Sequence, residues 1–233
     1  MANTSAEHRE EGHIETRVPA YRFGFVLLLL LATFIFLAAG PTGDWVPLVA
    51  VVLQGATLLA AFTASGVGRR LWRLALVVVL AALVSASAAA FVGGKWISGS
   101  LFLLNLFLVG AAPVVIINSL ARRRVIDPRT VLGAVCVYIL IGMMWSFAFT
   151  AIGTFDSRTF FAQQSNATVA DYLYFSFVTL TTTGYGDFTA AHGLGRALAV
   201  LEALIGQLYL VTVIALLVSN LGRRGRASQQ PER

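Results

Sequence analysis

The residues of this chain best suited to chemistry form the oxygen-rich run from Thr182 to Asp187, which reads Thr-Thr-Gly-Tyr-Gly-Asp. Backbone carbonyls and threonine hydroxyls are ligands for a cation that has shed its water. A narrow loop presents its carbonyls to one ion only if successive groups turn toward one axis. Glycine adopts positive φ without a Cβ clash, so Gly184 and Gly186 permit the alternating backbone that such a loop requires. The run therefore predicts a cage of oxygens around a cation.

Composition indicates where this run must sit. The chain has 233 residues, of which 58% are hydrophobic and 12% charged, with a mean hydropathy of +0.79. This composition indicates a membrane protein, and a spanning helix needs about 20 apolar residues. Six stretches meet that length, at about Phe23–Ala39, Val46–Ser65, Leu71–Val92, Leu101–Leu120, Val131–Ile152 and Leu194–Leu221.

A seventh apolar run, Ala170–Leu180, is too short to span the bilayer and ends just before the glycine run. A helix that enters the membrane and returns is tolerated where it is buried in protein and lines an aqueous path. We therefore predict an all-α membrane protein with six transmembrane helices, a re-entrant pore helix and a loop that carries the cation ligands.

Basic residues predict the orientation. With the amino terminus inside, 14 of the 17 Lys and Arg residues lie on the inner side, and only Lys95, Arg158 and Arg196 lie outside. This bias places both termini in the cytoplasm and explains the net charge of +6 without a nucleic-acid partner. An alternative is that the first apolar run is a signal peptide, but its apolar core exceeds the usual length of about 7–15 residues.

Thr182–Asp187, with the preceding run from Tyr172 to Leu180, resembles the filter and pore helix of potassium channels, and the resemblance covers about residues 130–222. It implies a homotetramer in which four loops surround K⁺. It also implies that the carbonyls of residues 182–185 and the Thr182 hydroxyl bind the ion, and that the Tyr185 ring props the loop open. The implied ion-binding residues are Thr182, Thr183, Gly184, Tyr185 and Gly186.

Four residues are expected to support the loop. The resemblance places Asp187 at the outer mouth and Val178 behind the loop, while Thr181 lies at the end of the pore helix and Glu202 lies at membrane depth on the last helix. Because a bare carboxylate in the membrane is costly, we expect Glu202 to face protein and to form a hydrogen bond near Thr181. A structural role and a gating role stay open for Glu202. Gly206 lies at the spacing of a gating hinge, and close packing is an equal alternative.

The chain divides at Asp127-Pro128, because proline disfavours a helix through the preceding residue. We predict a flexible cytoplasmic tail at 1–20, a four-helix unit at 21–127 that resembles a degenerate voltage sensor, a two-helix pore unit at 128–222 and a second tail at 223–233. The fourth predicted span holds no Lys or Arg, so the six-span layout of voltage-gated channels is expected without their arginine ladder. The alternative is that Arg69, Arg70 and Arg73 move in the field.

The sequence thus predicts a K⁺-selective channel of the cell membrane that contacts lipid, needs no cofactor and performs no enzymatic chemistry. Two alternatives stay open. One is a weakly selective cation channel, since flanking residues also affect selectivity. The other is a non-conducting regulatory subunit, or a transporter subunit, that retains the pore fold.

Overall fold

The structure is a computed structural model that describes residues 21–40, 45–65, 68–92, 95–121 and 128–227. Within these residues the regular structure is helical apart from one antiparallel bridge between Phe161 and Ala190. The prediction of an all-helical fold is therefore confirmed. The described helices are α1 Tyr21–Ala38, α2 Val46–Ser65, α3 Arg69–Val92, α4 Lys95–Ala121, α5 Pro128–Phe155, α6 Val169–Leu180 and α7 Gly193–Ala227.

Four stretches of the described helices are long and apolar enough to cross a membrane, namely Leu48–Ser65, Arg69–Ser87, Thr130–Phe155 and Gly193–Leu216. Three shorter apolar stretches lie in α1, α4 and α6. These apolar helices identify a membrane protein, while the count of six spans stays a prediction. The first predicted tail and the predicted boundary residue Asp127 lie outside the described residues, and α7 continues to Ala227, into the segment predicted as the second tail.

Two of the first four helices, α1 and α4, pack on α5 and α6 of the same chain. α4 lies along α5, and α1 contacts both α5 and α6. At the second contact the Phe34 and Phe177 rings meet edge to face, with centroids 4.9 Å apart. α1 of the four-helix unit therefore touches the short helix that precedes the glycine run.

The start of α6 is encoded locally. The Thr168 side chain accepts a hydrogen bond from the Asp171 backbone, and the Asp171 carboxylate accepts one from the Thr168 backbone at 2.7 Å. This reciprocal capping box satisfies two backbone donors at the first turn and fixes where the helix begins. Behind α6, the buried rings of Phe149, Phe160 and Phe161 contact Phe175 with centroids 5.2 to 6.0 Å apart. The capping box thus fixes the first turn of α6, and the contacts of Phe175 with the buried rings hold its middle.

Candidate functional site

The carboxyl end of α6 holds the beginning of the glycine run. The Thr182 backbone N–H donates to the Thr179 carbonyl at 2.9 Å. The N–H groups of Thr183 and Gly184 both donate to the Val178 carbonyl, at 2.9 and 3.3 Å. The last turn of a helix leaves carbonyls without helical partners, and here the loop satisfies those of Val178 and Thr179. Val178 therefore supports the loop through its backbone.

The sign of φ follows an alternating pattern along the run. Thr182, Gly184 and Gly186 have φ of +55°, +56° and +81°, and Thr182 is the one residue other than glycine with positive φ among the described residues. A Cβ placed on Gly184 or Gly186 would meet nothing within 4 Å. These two glycines are therefore needed for their backbone conformation and not for close packing.

Three side-chain hydrogen bonds order the threonines at the start of the run. The Thr181 and Thr183 hydroxyl oxygens lie 2.9 Å apart and share one hydrogen bond, and the Thr181 hydroxyl also donates to the Phe177 carbonyl at 2.7 Å. The Gln207 amide on α7 donates to the Thr182 hydroxyl oxygen at 2.8 Å. Thr181 thus fixes the end of α6, and α7 contacts the first residue of the run through Gln207.

At the other end of the run, Asp187 is tied to α6. The Tyr174 phenol donates to the Asp187 carboxylate at 2.7 Å, and this hydrogen bond raises the pKa of Tyr174 to about 12. The Tyr185 ring stacks near Tyr174 with centroids 6.5 Å apart, yet 70% of Tyr185 is exposed. The Asp187 end of the run is therefore anchored within the chain, whereas most of the Tyr185 side chain is exposed.

Glu202 on α7 is fully buried and lies against the middle of α6. Its Oε1 atom is 2.5 Å from the Ser176 hydroxyl oxygen, which is 2.7 Å from the Gly142 carbonyl of α5. Both contacts are hydrogen bonds only if Glu202 is protonated, because Ser176 has one proton and a carbonyl has none to donate. Glu202 faces protein, as we expected, but its partner is Ser176 and not a group near Thr181. Ser176 lies a turn earlier because α7 crosses α6 at that depth.

Gly206 lies where α7 comes closest to the end of α6. A Cβ on Gly206 would collide with the Leu180 carbonyl oxygen and would lie 2.9 Å from a Leu180 methyl group. Close packing therefore accounts for glycine at this position, and the gating hinge stays a prediction.

Sequence reasoning did not find Ser176 or Gln207. Ser176 was detectable as the one serine within the apolar run of α6, and Gln207 as a polar side chain beside Gly206 in an apolar helix. Neither signal names a partner, because the partner depends on how α6 and α7 cross.

The comparison with family models concerns the same part of the chain. Residues 145–223, about a third of the chain, match the family model described as "Ion channel". The Probable potassium channel protein 2 of Methanocaldococcus jannaschii is 52% identical to this chain over 46 residues, which are 18% of this chain and 13% of that protein. The match thus spans a small part of the relative's length. No solved structure matches the chain. The segment from the middle of α5 to α7 therefore carries an ion channel domain, and the ion channel family is not a family of enzymes.

Proposed function

We propose that this chain is one subunit of a homotetrameric potassium channel, with Thr182, Thr183, Gly184, Tyr185 and Gly186 as its selectivity filter. The observation that carries the proposal is the positive φ at every second residue from Thr182 to Gly186. In an extended strand with uniform dihedrals, successive carbonyls point to opposite sides. Alternation of the sign of φ turns successive carbonyls toward the same side. A loop of this kind offers a column of oxygens to ions that have lost their water.

The exposed surfaces support assembly around that column. One chain supplies one filter loop, so a ring of carbonyls needs several copies. Residues 181–187 are exposed in the single chain, and so are Leu204, Leu208 and Val211 on α7, at 56%, 67% and 63%. A second copy would cover these apolar side chains together with the exposed Tyr185 ring. We place the tetramer in the cell membrane with both termini in the cytoplasm, on the strength of the basic residues.

The decisive experiment measures K⁺ and Na⁺ flux through the purified full-length chain in liposomes. We expect K⁺ to pass much faster than Na⁺. Gly186→Ala forces a residue with a Cβ into positive φ, at a cost of about 1–2 kcal/mol per subunit, and is expected to abolish conduction or degrade selectivity while the tetramer still assembles. Gly193→Ala is the matched control, because Gly193 also has open space around its Cβ position but no positive φ.

Three results would contradict the proposal. The first is a wild-type chain that passes no ions, as a regulatory subunit would. The second is wild-type flux without preference for K⁺, which would favour the weakly selective channel. The third is undiminished preference for K⁺ in Gly186→Ala, which would show that the filter lies elsewhere.

A further inference from the structure

We propose that Gln207 sets how tightly the inner end of the filter holds a cation, by donating an N–H to the Thr182 hydroxyl. The inference rests on the proposed function, because it assigns a role within that filter. Gln207 is a positioning residue here: it acts on the ion through Thr182. The ion class is a monovalent cation of the size of K⁺, or a divalent cation of similar radius.

The geometry leaves the Thr182 side chain with one described partner. Its backbone N–H is bonded to Thr179, and its φ of +55° is uncommon for a residue with a branched Cβ. Its hydroxyl oxygen accepts the Gln207 amide at 2.8 Å. Since both side chains are exposed in the single chain, no packing within the chain fixes this hydroxyl. Among the contacts within the chain, the hydrogen bond from α7 therefore orients the Thr182 oxygen.

The same bond changes what that oxygen offers to an ion. A hydroxyl oxygen has two lone pairs, and the amide N–H occupies one of them. The positive end of the N–H dipole also lies beside the position that a coordinated cation would take. In the described part of the chain, the carbonyls of residues 182–186 accept no comparable hydrogen bond. The Thr182 hydroxyl is thus the weakest cation ligand of the column.

This weakening has a function in a conducting pore. An ion must bind strongly enough to enter the filter and weakly enough to leave it. A donor at the last oxygen ring lowers the affinity of the innermost site and leaves the carbonyl sites unchanged. Gln207 therefore favours exchange of ions between the filter and the inner side, without a change in the preference for K⁺ over Na⁺.

The test uses Ba²⁺, a divalent cation close to K⁺ in radius, as a probe of the innermost site. The full-length chain is incorporated in planar bilayers, and block by Ba²⁺ from the cytoplasmic side is measured. Gln207→Leu removes the donor, and we expect block to strengthen by about two- to tenfold, the range for loss of one neutral hydrogen bond. Gln207→Glu replaces the donor with a carboxylate and should strengthen block further.

The chain provides a matched control. Gln163 also donates its amide to a threonine hydroxyl at 2.8 Å, but that threonine is Thr189, beyond the outer end of the run. Gln163→Leu should leave cytoplasmic Ba²⁺ block at the wild-type value. If Gln207→Leu does not assemble, Gln207→Asn replaces it, because the shorter amide does not reach Thr182.

Three results would overturn the inference while the proposed function stands, provided that the wild type conducts K⁺ selectively. One is unchanged or weaker Ba²⁺ block in Gln207→Leu. Another is an equal change in Gln163→Leu. The third is failure of both Gln207→Leu and Gln207→Asn to assemble while Gln163→Leu assembles, which would make Gln207 a structural residue. A wild-type chain without K⁺ flux would refute the proposed function itself.

Discussion

Replacement of Glu202 by glutamine tests the hydrogen-bond chain between α5, α6 and α7. If Glu202 donates a proton to Ser176 while Ser176 donates to Gly142, a neutral donor is all that the site requires. A glutamine amide has the same shape and provides an N–H in place of the acid proton. We therefore expect Glu202→Gln to assemble and to conduct as the wild type does.

The magnitude follows from burial and from the partners. Ser176→Ala removes the one described partner of the fully buried Glu202, whose second oxygen already has none among the described residues. Leaving a buried polar group unpaired costs about 1–3 kcal/mol. Glu202→Gln keeps the bond and should cost less than about 1 kcal/mol, since a neutral hydrogen bond contributes about that much in total. The double change Ser176→Ala with Glu202→Leu should recover most of the loss, because no polar group is left unpaired.

Thermal unfolding of the purified protein in detergent measures these differences. A change of 1 kcal/mol shifts the Tm of a chain of this size by about 2–4 °C, so Ser176→Ala should fall by about 2–12 °C. Ser146→Ala is the control, because Ser146 is equally buried and its hydroxyl has no partner in the described residues. Loss of assembly in Glu202→Gln, with Ser176→Ala intact, would show that the site needs a charged carboxylate and would refute the proton assignment.

The other predictions concern the inner helix, the outer mouth and the response to voltage. Gly206→Ala should lower the free energy of unfolding by about 1–3 kcal/mol through overpacking against α6. Gly24→Ala is the control and should not lower it, because a Cβ on Gly24 would meet nothing within 4 Å. Equal Tm values for the two variants would contradict this prediction. The stabilising Tyr174–Asp187 bond is fully present below pH 10 and is lost as pH rises through the raised pKa of Tyr174, about 12. The stability difference between wild type and Tyr174→Phe should therefore shrink from pH 10 to 12, and a constant difference would refute it. The open probability of the proposed channel should vary only shallowly with voltage. If a gating charge of several elementary charges were measured, and if it were lost when the arginines at 122–124 are neutralised, the chain would contain a voltage sensor.

The helices and the loop of residues 182–186 were predictable because their signals in the sequence are local. Apolar stretches of spanning length predicted the positions of six helices to within a few residues at most ends, and the short run before the glycines predicted α6. Positive φ at a glycine in a polar loop also follows from a local property, the missing Cβ. The six-span count is harder, because length and apolarity alone do not separate a spanning helix from a buried one.

Contacts between helices were not predictable to the same degree. The sequence indicated that Glu202 must face protein, because burial of an unpartnered carboxylate is costly anywhere in a membrane. It did not identify Ser176 as the partner, since that depends on the crossing of α6 and α7 and on the position of Gly142 on α5. The positive φ at Thr182 has the same origin: the bonds of its neighbours to the end of α6 impose a conformation that threonine does not favour.

The contacts of α7 determine which part of that helix is able to move independently of the loop. Glu202, Gly206 and Gln207 bind or touch, in order, the middle of α6, its last carbonyl and the first residue of the positive-φ run. At a rise of 1.5 Å per residue, these positions span about 7.5 Å of helix. Bending of α7 between Glu202 and Gly206 would break a buried hydrogen bond or force α7 into α6. In the proposed channel, a hinge at Gly206 would therefore leave the part of α7 before it fixed and move the part from Gln207 onward. The inner opening of the pore and the tightness of the innermost ion site would then be coupled through the bond from Gln207 to Thr182.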